Sequence, residues 1–377
     1  MRIFYYETRK SWLRISVLIA LIIFTALNFI RIYPGSEDKR YRLEKYTEVC
    51  EIYGGEWDNE KLDDFNEKYT EVEDKFFGGQ RSEPGIFTDT ISNDYFVLNQ
   101  IKKEIEYEYL YPNYVHSIAG KAHENAELYA ESGAEFEHRS SEMIEEIYAD
   151  RTVPEFHGTN WARFLFRYDF SSLLCIILLI LGMSASFSAE NESGMMTQIA
   201  ANGKVAKTLL AKVTSAMVYC ALLSVWFSFS DILFTHIFYT IDGIEMPIYS
   251  SELFQNTPYN ITFADAFLLR MGIRFYSLFC LSVLIMLVSK FCSNTMTAMF
   301  SSFIVCIGLT LLAGFFKGVW NPVCALYPSS YLTDFKCANI AEKPVLMLFM
   351  AIAIMTLEFA AFAAAILIHD KLSRRRR

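Results

Sequence analysis

One charged segment between two long apolar runs holds the residues best suited to functional chemistry. Its charged side chains are Glu190, Glu192, Lys204, Lys207 and Lys212. Because an apolar run lies on each side, we interpret the segment as a loop at a membrane surface. Its excess of lysine over glutamate indicates the cytoplasmic side. Charges exposed there suit the docking of a cytoplasmic protein; the alternative is an ordinary solvated loop.

The segment does not contain a phosphate-binding loop. The nucleotide motif GxxxxGK[ST] is absent, since Gly203-Lys204 is followed by Val205 and no glycine precedes the pair at the required spacing. We therefore predict a chain that is not an enzyme, binds no cofactor directly and does not hydrolyse ATP by itself. No CxxC pair or His/Cys cluster predicts a metal site, and the histidines of the acidic region described below are interpreted as helix-surface residues.

Four ionisable residues lie within or near the apolar runs: Asp231, Arg270, Arg274 and Glu358. Charge at mid-bilayer costs about 2.5–3.5 kcal/mol on insertion scales, so such side chains pair or face water. Asp231 and the two arginines lie near the outer ends of successive runs, which predicts a pairing of Asp231 with Arg270 or Arg274. Snorkelling of the arginines to the interface is the alternative. For Glu358, a role in substrate passage or proton handling competes with a structural hydrogen bond.

Two of the eight cysteines, Cys324 and Cys337, share one polar loop. Export of that loop to an oxidising environment would allow the two thiols to form a disulfide, and two reduced thiols are the alternative. Five other cysteines lie in or beside apolar runs, where we interpret them as small buried hydrophobic residues.

Composition divides the chain into two environments. Of its 377 residues, 53% are hydrophobic, and they form several long runs, which indicates membrane residence. Residues 33–160 carry 30 acidic and 13 basic side chains, whereas the remainder is net positive. This acidic block predicts a separate polar domain, and nothing in the sequence predicts binding to nucleic acid.

The pattern predicts an all-α integral membrane protein with six transmembrane helices and a mainly helical extracellular domain between the first two. The predicted spans are 15–32, 168–187, 208–240, 263–288, 296–315 and 344–368. The predicted connections are the N-terminus 1–14, the extracellular domain 33–162, the charged loop 188–207, the outer loops 241–262 and 316–343, and the basic tail 369–377. Residues 316–343 are apolar enough to re-enter the membrane; a surface loop is the alternative.

Two further expectations concern helix ends and orientation. Within the acidic domain we predict helices over 94–111 and 115–149, separated at Pro112. Basic residues precede the first span and four arginines end the chain, at 374–377. The positive-inside rule therefore places both termini in the cytoplasm of a multi-pass plasma-membrane protein.

The charged segment resembles the corresponding loop of a known family, the type-2 ABC exporter permeases, in particular bacterial six-span members with a large outer domain. In that family the loop carries an acidic residue, Glu-x-Gly, Gly-Arg or Gly-Lys, and a lysine that opens the third span. The matching residues here are Glu190, Glu192, Gly194, Gly203, Lys204 and Lys212. Lys204 stands where arginine is commoner. Short patches at 53–57, 246–250 and 258–262 also resemble these members.

The resemblance implies a membrane half-transporter whose loop couples it to a separate cytoplasmic ATPase carrying ATP-Mg. Two copies, or two related chains, would form the translocation path among the membrane lipids. We therefore predict ATP-driven export of a peptide, lipid or drug-like substrate. A membrane sensor or immunity protein that binds an extracellular peptide without transport is the alternative, and an assembly scaffold is a third hypothesis.

Overall fold

The computed structural model describes residues 2–56, 59–82, 89–153, 155–167, 170–201, 205–316, 318–327 and 329–375. Helices dominate, at about 81% of the chain. In chain order they are α1 (Arg2–Ser11), α2 (Ile15–Ile32), α3 (Glu37–Tyr53), α4 (Asn59–Ser82), α5 (Asp89–Ser132), α6 (Glu135–Tyr148), α7 (Asn160–Arg167), α8 (Phe170–Met183), α9 (Ala185–Glu192), α10 (Met195–Ala201), α11 (Val205–Tyr239), α12 (Phe263–Phe291), α13 (Thr295–Phe315), α14 (Pro322–Ala325), α15 (Ser329–Leu332) and α16 (Met347–Arg375).

Six helical segments within the described residues are long and apolar enough to cross a membrane, as in a multi-pass membrane protein. They are Ile15–Ile32, Asn160–Glu192, Val205–Tyr239, Phe263–Phe291, Thr295–Phe315 and Met347–His369. The second is central, since 78% of its apolar window is buried, compared with 11% for α2 and 17% for both α13 and α16. Helices α2, α13 and α16 therefore present most of their apolar surface outward, towards lipid or another chain.

Capping side chains explain where two of these helices begin. Oγ1 of Thr262 accepts a hydrogen bond from the backbone N–H of Asp265 (3.1 Å), and Oδ2 of Asp265 accepts one from the backbone N–H of Thr262 (3.3 Å). This capping box satisfies N–H groups that the first turn of α12 leaves unpaired. Asn294 caps α13 in the same way, because its Oδ1 accepts from the N–H of Thr297 at 2.8 Å.

The spans follow the apolar runs. The described part of the charged loop 188–207 is helical, because α9 continues to Glu192 and α10 follows a turn at Gly194 with φ of +69°. One boundary differs from expectation, because residues 344–346 do not begin the last span. They belong to strand β2 (Lys343–Leu346), which pairs antiparallel with β1 (Cys337–Ile340). Because of this hairpin, α16 begins only at Met347.

The segment between α13 and α16 also enters the bundle. Residues 322–326, which include α14, are buried. Oγ of Ser172 on α8 donates to the carbonyl oxygen of Leu326 at 3.3 Å, and Oγ of Ser277 on α12 donates to that of Pro322. This part of the predicted loop 316–343 therefore packs between two spans.

Helices α3 to α6 form a polar domain at one end of the bundle, with its main apolar core between α3, α4 and α5. Here the expected break at Pro112 is wrong, because α5 runs without interruption from Asp89 to Ser132. Proline removes one backbone hydrogen bond, but Tyr111 and Val115 on either side are both buried at 1% exposure. Their packing against α6 and the neighbouring connection holds the helix through Pro112.

Tyrosines bind the polar domain to the connection between α11 and α12. Four hydroxyl groups donate hydrogen bonds across this contact: Tyr107 to Tyr249 O (2.7 Å), Tyr111 to Gln255 O (3.3 Å), Tyr114 to Asn256 Oδ1 (2.7 Å) and Tyr148 to Asn256 O (2.7 Å). We call these four residues the tyrosine contact. It attaches the polar domain to the bundle at a point distant in sequence from its own ends.

Arg151 reinforces the tyrosine contact. The side chain is only 3% exposed, and its guanidinium carbon lies 4.4 Å from the ring centre of Tyr148 and 4.8 Å from that of Tyr249. Its Nε donates to Oδ1 of Asn260 at 2.8 Å. A buried cation between two aromatic rings is stabilised by their negative faces.

We expect Arg151→Ala to loosen the polar domain from the bundle. The change removes a charged hydrogen bond and two ring contacts, and should lower the free energy of unfolding by about 2–4 kcal/mol. The matched control is Arg163→Ala, which removes an exposed ion pair with Glu252 and should cost only about 0–1 kcal/mol. Unfolding in mixed detergent micelles would measure both, and equal losses would contradict this assignment.

Candidate functional site

The N-terminal helix α1 lies against the start of α11 at the end of the bundle away from the polar domain. Nε1 of Trp12, just after α1, donates to Oγ of Ser215 at 3.1 Å, and the Trp12 ring stacks on that of Tyr219 at 5.2 Å between ring centres. Oγ1 of Thr8 also lies 3.3 Å from Oγ of Ser215. These contacts place the charged face of α1 beside α9 and α11.

Lys212 lies at the centre of this region with 2% of its surface exposed. Its ammonium group donates to Oε2 of Glu7 (2.8 Å), to Oε1 of Glu190 (2.7 Å) and to the carbonyl oxygen of Ser186. A lysine has three N–H donors, so every donor is used. One atom thereby connects α1, α9 and α11.

Glu190 also accepts a hydrogen bond from a second lysine, Lys10. Nζ of Lys10 donates to its Oε1 at 2.9 Å, and Glu190 itself is only 1% exposed. Burial and the positive charge of Lys212 both lower the pKa of Lys10, whereas Glu190 acts against them. We call Glu7, Lys10, Glu190 and Lys212 the four-charge cluster. Its two carboxylates and two ammonium groups balance, so it is neutral as a unit.

Helix α9 is also hydrogen-bonded to the junction between α12 and α13. Oγ of Ser289 accepts from the backbone N–H groups of Phe187 (3.1 Å) and Ser188 (3.0 Å). Nδ2 of Asn191 donates to the carbonyl oxygen of Cys292 at 3.0 Å. These bonds tie α9 to a second pair of spans.

Glu192 extends the same connection. Oε2 of Glu192 accepts from both the backbone N–H (3.0 Å) and Oγ1 (2.8 Å) of Thr295, the first residue of α13. A carboxylate at a helix N-terminus is stabilised by the helix dipole as well as by these bonds. A displacement of α9 would therefore reach four other helices at once.

A second polar cluster lies near the other end of α11. Oδ2 of Asp231 lies 3.2 Å from Nη2 of Arg274 and 2.6 Å from Oγ of Ser171, while its Oδ1 accepts from Nδ2 of Asn28 at 2.7 Å. Nη1 of Arg274 also donates to Oγ of Ser228 at 3.1 Å. We call these five residues the Asp231 cluster. It joins α2, α8, α11 and α12 through buried polar atoms.

The remaining predicted intramembrane charges take other positions. Arg270 does not pair with Asp231; its Nη1 donates to the carbonyl oxygen of Leu165, and its guanidinium carbon lies 5.9 Å from the ring centre of Phe166. Glu358 on α16 is half-buried, with Oε2 3.9 Å from Sγ of Cys280. The structure thus brings Asp231 and Arg274 together and leaves Glu358 in a separate place.

Cys324 and Cys337 are both free thiols, as in the second of the two alternatives. Sγ of Cys324 lies 3.8 Å from the carbonyl oxygen of Phe316, whereas Sγ of Cys337 lies 3.8 Å from Oγ of Ser140 in the polar domain. Burial of α14 and the position of the hairpin hold the two thiols against different partners. Among the residues that the structure describes, no group of three or more His, Cys, Asp or Glu side chains is placed to hold a metal ion.

Of the six residues that matched the loop pattern, Gly203 and Lys204 lie outside the described residues. The sequence analysis missed Glu7 and Lys10, which α1 brings to the cluster. Glu7 is the only acidic residue in an otherwise basic N-terminal segment, and Asn28 is a strongly polar residue inside an apolar run. Both are exceptions to their surroundings, and such exceptions could have indicated buried partners.

Comparisons with protein-family models, with curated proteins and with solved structures found no match to this chain. The two clusters are therefore interpreted from their own residues. Buried charges paired across helices in this way fix the positions of those helices.

We expect Lys212→Met to disrupt the four-charge cluster. Two buried carboxylates would then share one ammonium group, at a cost of about 3–5 kcal/mol in the free energy of unfolding. The exposed Lys207, on the same helix, provides the matched control Lys207→Met, with little expected change. Adding Glu190→Gln to Lys212→Met should recover part of the loss. If the double variant shows the sum of the two single losses, the pairing is contradicted.

The Asp231 cluster gives a parallel prediction. Asp231→Asn and Arg274→Met should each destabilise the protein, whereas the double variant should be milder than either, by about 1 kcal/mol or more. Asp231→Asn with Arg270→Met is the control pair and should be additive, because Arg270 donates to a backbone carbonyl instead. Detergent-titrated unfolding of these four variants and of Arg270→Met alone would reveal the difference. Additive losses for Asp231 and Arg274 would disprove their pairing.

Proposed function

We propose that this chain is the membrane-spanning subunit of an ATP-driven exporter, similar to the type-2 ABC exporter permeases, and that a separate cytoplasmic chain hydrolyses ATP. Two copies, or this chain and a related one, would enclose the translocation path. The cargo is a peptide, a lipid or a drug-like molecule. ATP-Mg would be bound by the partner, and no cofactor by this chain.

The observation that carries the proposal is the bonding of α9. An ATPase can drive transport only if its movement reaches several spans together. Helix α9 forms the last part of the second candidate span. It is bonded to α1 and α11 by the four-charge cluster and to α12 and α13 by Ser289, Asn191 and Glu192. Packed elements with discrete arrangements move as units, so a displacement of α9 would shift all four neighbours.

Charge supports the orientation. The bundle end that carries α1 and α9 also carries Lys10, Lys207, Lys212 and Lys290. The positive-inside rule favours the cytoplasm for this end and for both termini, in the plasma membrane. The polar domain and the hairpin would then lie outside the cell.

The tyrosine contact supports a role for the outer domain in the same movement. Because it joins the polar domain to the connection between α11 and α12, a tilt of either helix would carry the domain with it. A domain that moved with the spans could guide or gate the exit of cargo. In a sensor that binds a ligand without transport, the same contact would transmit movement from the polar domain to the spans.

Affinity purification of the full chain from its native host in mild detergent, followed by mass spectrometry and an ATPase assay, tests the proposal. A nucleotide-binding subunit should co-purify with the wild type. The double variant Glu192→Ala/Lys204→Ala should lose that subunit or its coupled activity, by about tenfold or more if several charged contacts are removed.

The matched control is Glu342→Ala/Lys343→Ala, at the exposed turn of the hairpin, which should retain the subunit. Thermal unfolding of both double variants separates lost docking from lost folding. Absence of any nucleotide-binding partner under several gentle conditions would overturn the exporter hypothesis and favour the sensor.

A further inference from the structure

The polar domain contains a cavity of about 410 Å³ between α4, α5 and the segment after α6. Its apolar wall includes Leu62, Phe65, Ile105, Val153 and Phe156. A volume of this order lies within the usual range of pockets for small organic ligands. None of the residues that line the cavity belongs to the four-charge cluster or to the Asp231 cluster.

One carboxyl group lies in this apolar wall without a partner. Glu108 follows Ile105 by one helical turn on α5, so both face the cavity. Within the described part of the chain, no side chain or backbone group donates a hydrogen bond to Glu108 or forms an ion pair with it. Glu108 is half-buried, and partial burial of a carboxylate without a charged partner raises its energy.

The other charges around the cavity are mostly acidic. Glu106 and Glu155 are exposed at its edge. Lys102 also lines the cavity, but its Nζ lies 4.0 Å from the ring centre of Tyr69 and forms a cation–π contact with that ring. The whole block 33–160 carries 30 acidic and 13 basic residues, so its field attracts cations.

We propose that this cavity binds an organic cation, with a primary ammonium group paired to Glu108 and an apolar body against Phe65, Ile105 and Phe156. The ammonium would supply the partner that Glu108 lacks, and the apolar body would also cover the partly exposed Leu62 and Val153 beside those buried side chains. The occupant is a small amphiphilic amine. This inference does not depend on the proposed function, since a transporter and a sensor could both carry the site.

Binding would be linked to release of a proton. Burial, with the nearby Glu104, raises the pKa of Glu108 to about 9, so the free carboxyl holds a proton at neutral pH. The ionisable groups that interact with Glu108 are Glu104 and Tyr107 on α5 and Cys50 on α3, and Lys102, Glu106 and Glu155 line the same cavity. An arriving ammonium favours the carboxylate, and the proton leaves Glu108 for solvent. Affinity should therefore rise from pH 6 towards pH 9.

The probe is 4-phenylbutylamine, and 4-phenylbutanol is its neutral counterpart with the same apolar body. Calorimetry on the full chain in lipid nanodiscs, after subtraction of empty nanodiscs, measures both. The amine should bind saturably at pH 8, about tenfold or more tightly than the alcohol, because only the amine forms a charged hydrogen bond. Equal binding of the two compounds would overturn the proposal.

Glu108→Gln keeps the shape of the side chain and removes its charge. It should weaken amine binding about tenfold and abolish the rise in affinity with pH. Glu124→Gln, an exposed position on the same helix outside the cavity, should change binding by less than about twofold. Thermal unfolding confirms that both variants are folded. Unchanged amine affinity in a folded Glu108→Gln variant would refute the assignment, whatever the outcome of the ATPase experiment.

Discussion

The buried ammonium group of Lys212 is the interaction on which this end of the bundle depends. An unpaired charge at such a depth costs several kcal/mol, so its three N–H donors must each find an acceptor. Glu7, Glu190 and the carbonyl oxygen of Ser186 supply them, which brings three helices to one atom. Once α9 is held there, Ser289 and Asn191 set its position against α12, and Glu192 sets it against α13.

Polar contacts determine how these helices pack, because apolar helices in lipid gain little from hydrophobic burial against one another. Leucine and isoleucine faces can slide past each other with small energetic differences, whereas a carboxylate facing a guanidinium cannot. The four-charge cluster and the Asp231 cluster therefore set the register of the bundle near its two ends. Lys212 and Asp231 are nineteen residues apart on α11, or about 28 Å at 1.5 Å per residue.

Much of the fold was predictable, because a membrane requires long apolar runs and those runs are visible in sequence. The partners within the clusters were less accessible. Glu7 and Lys212 are 205 positions apart, and only the packing of α1 on α11 brings them together. Asp231 was predictable as an ion-pair partner from its depth in the run, but the choice of Arg274 over Arg270 depends on one helical turn. The predicted break at Pro112 was wrong because packing on both sides of the proline ring outweighed the low helix propensity of proline.

The uninterrupted course of α11 has a mechanical consequence. Between Val205 and Tyr239 it contains neither glycine nor proline, so it resists sharp bending and acts as a stiff lever. Any tilt must be absorbed beyond its ends. Thr240, immediately after it, has a φ of +39°, a strained conformation for a β-branched residue. A pivot at Thr240, beside α3, would give the Lys212 end the widest arc.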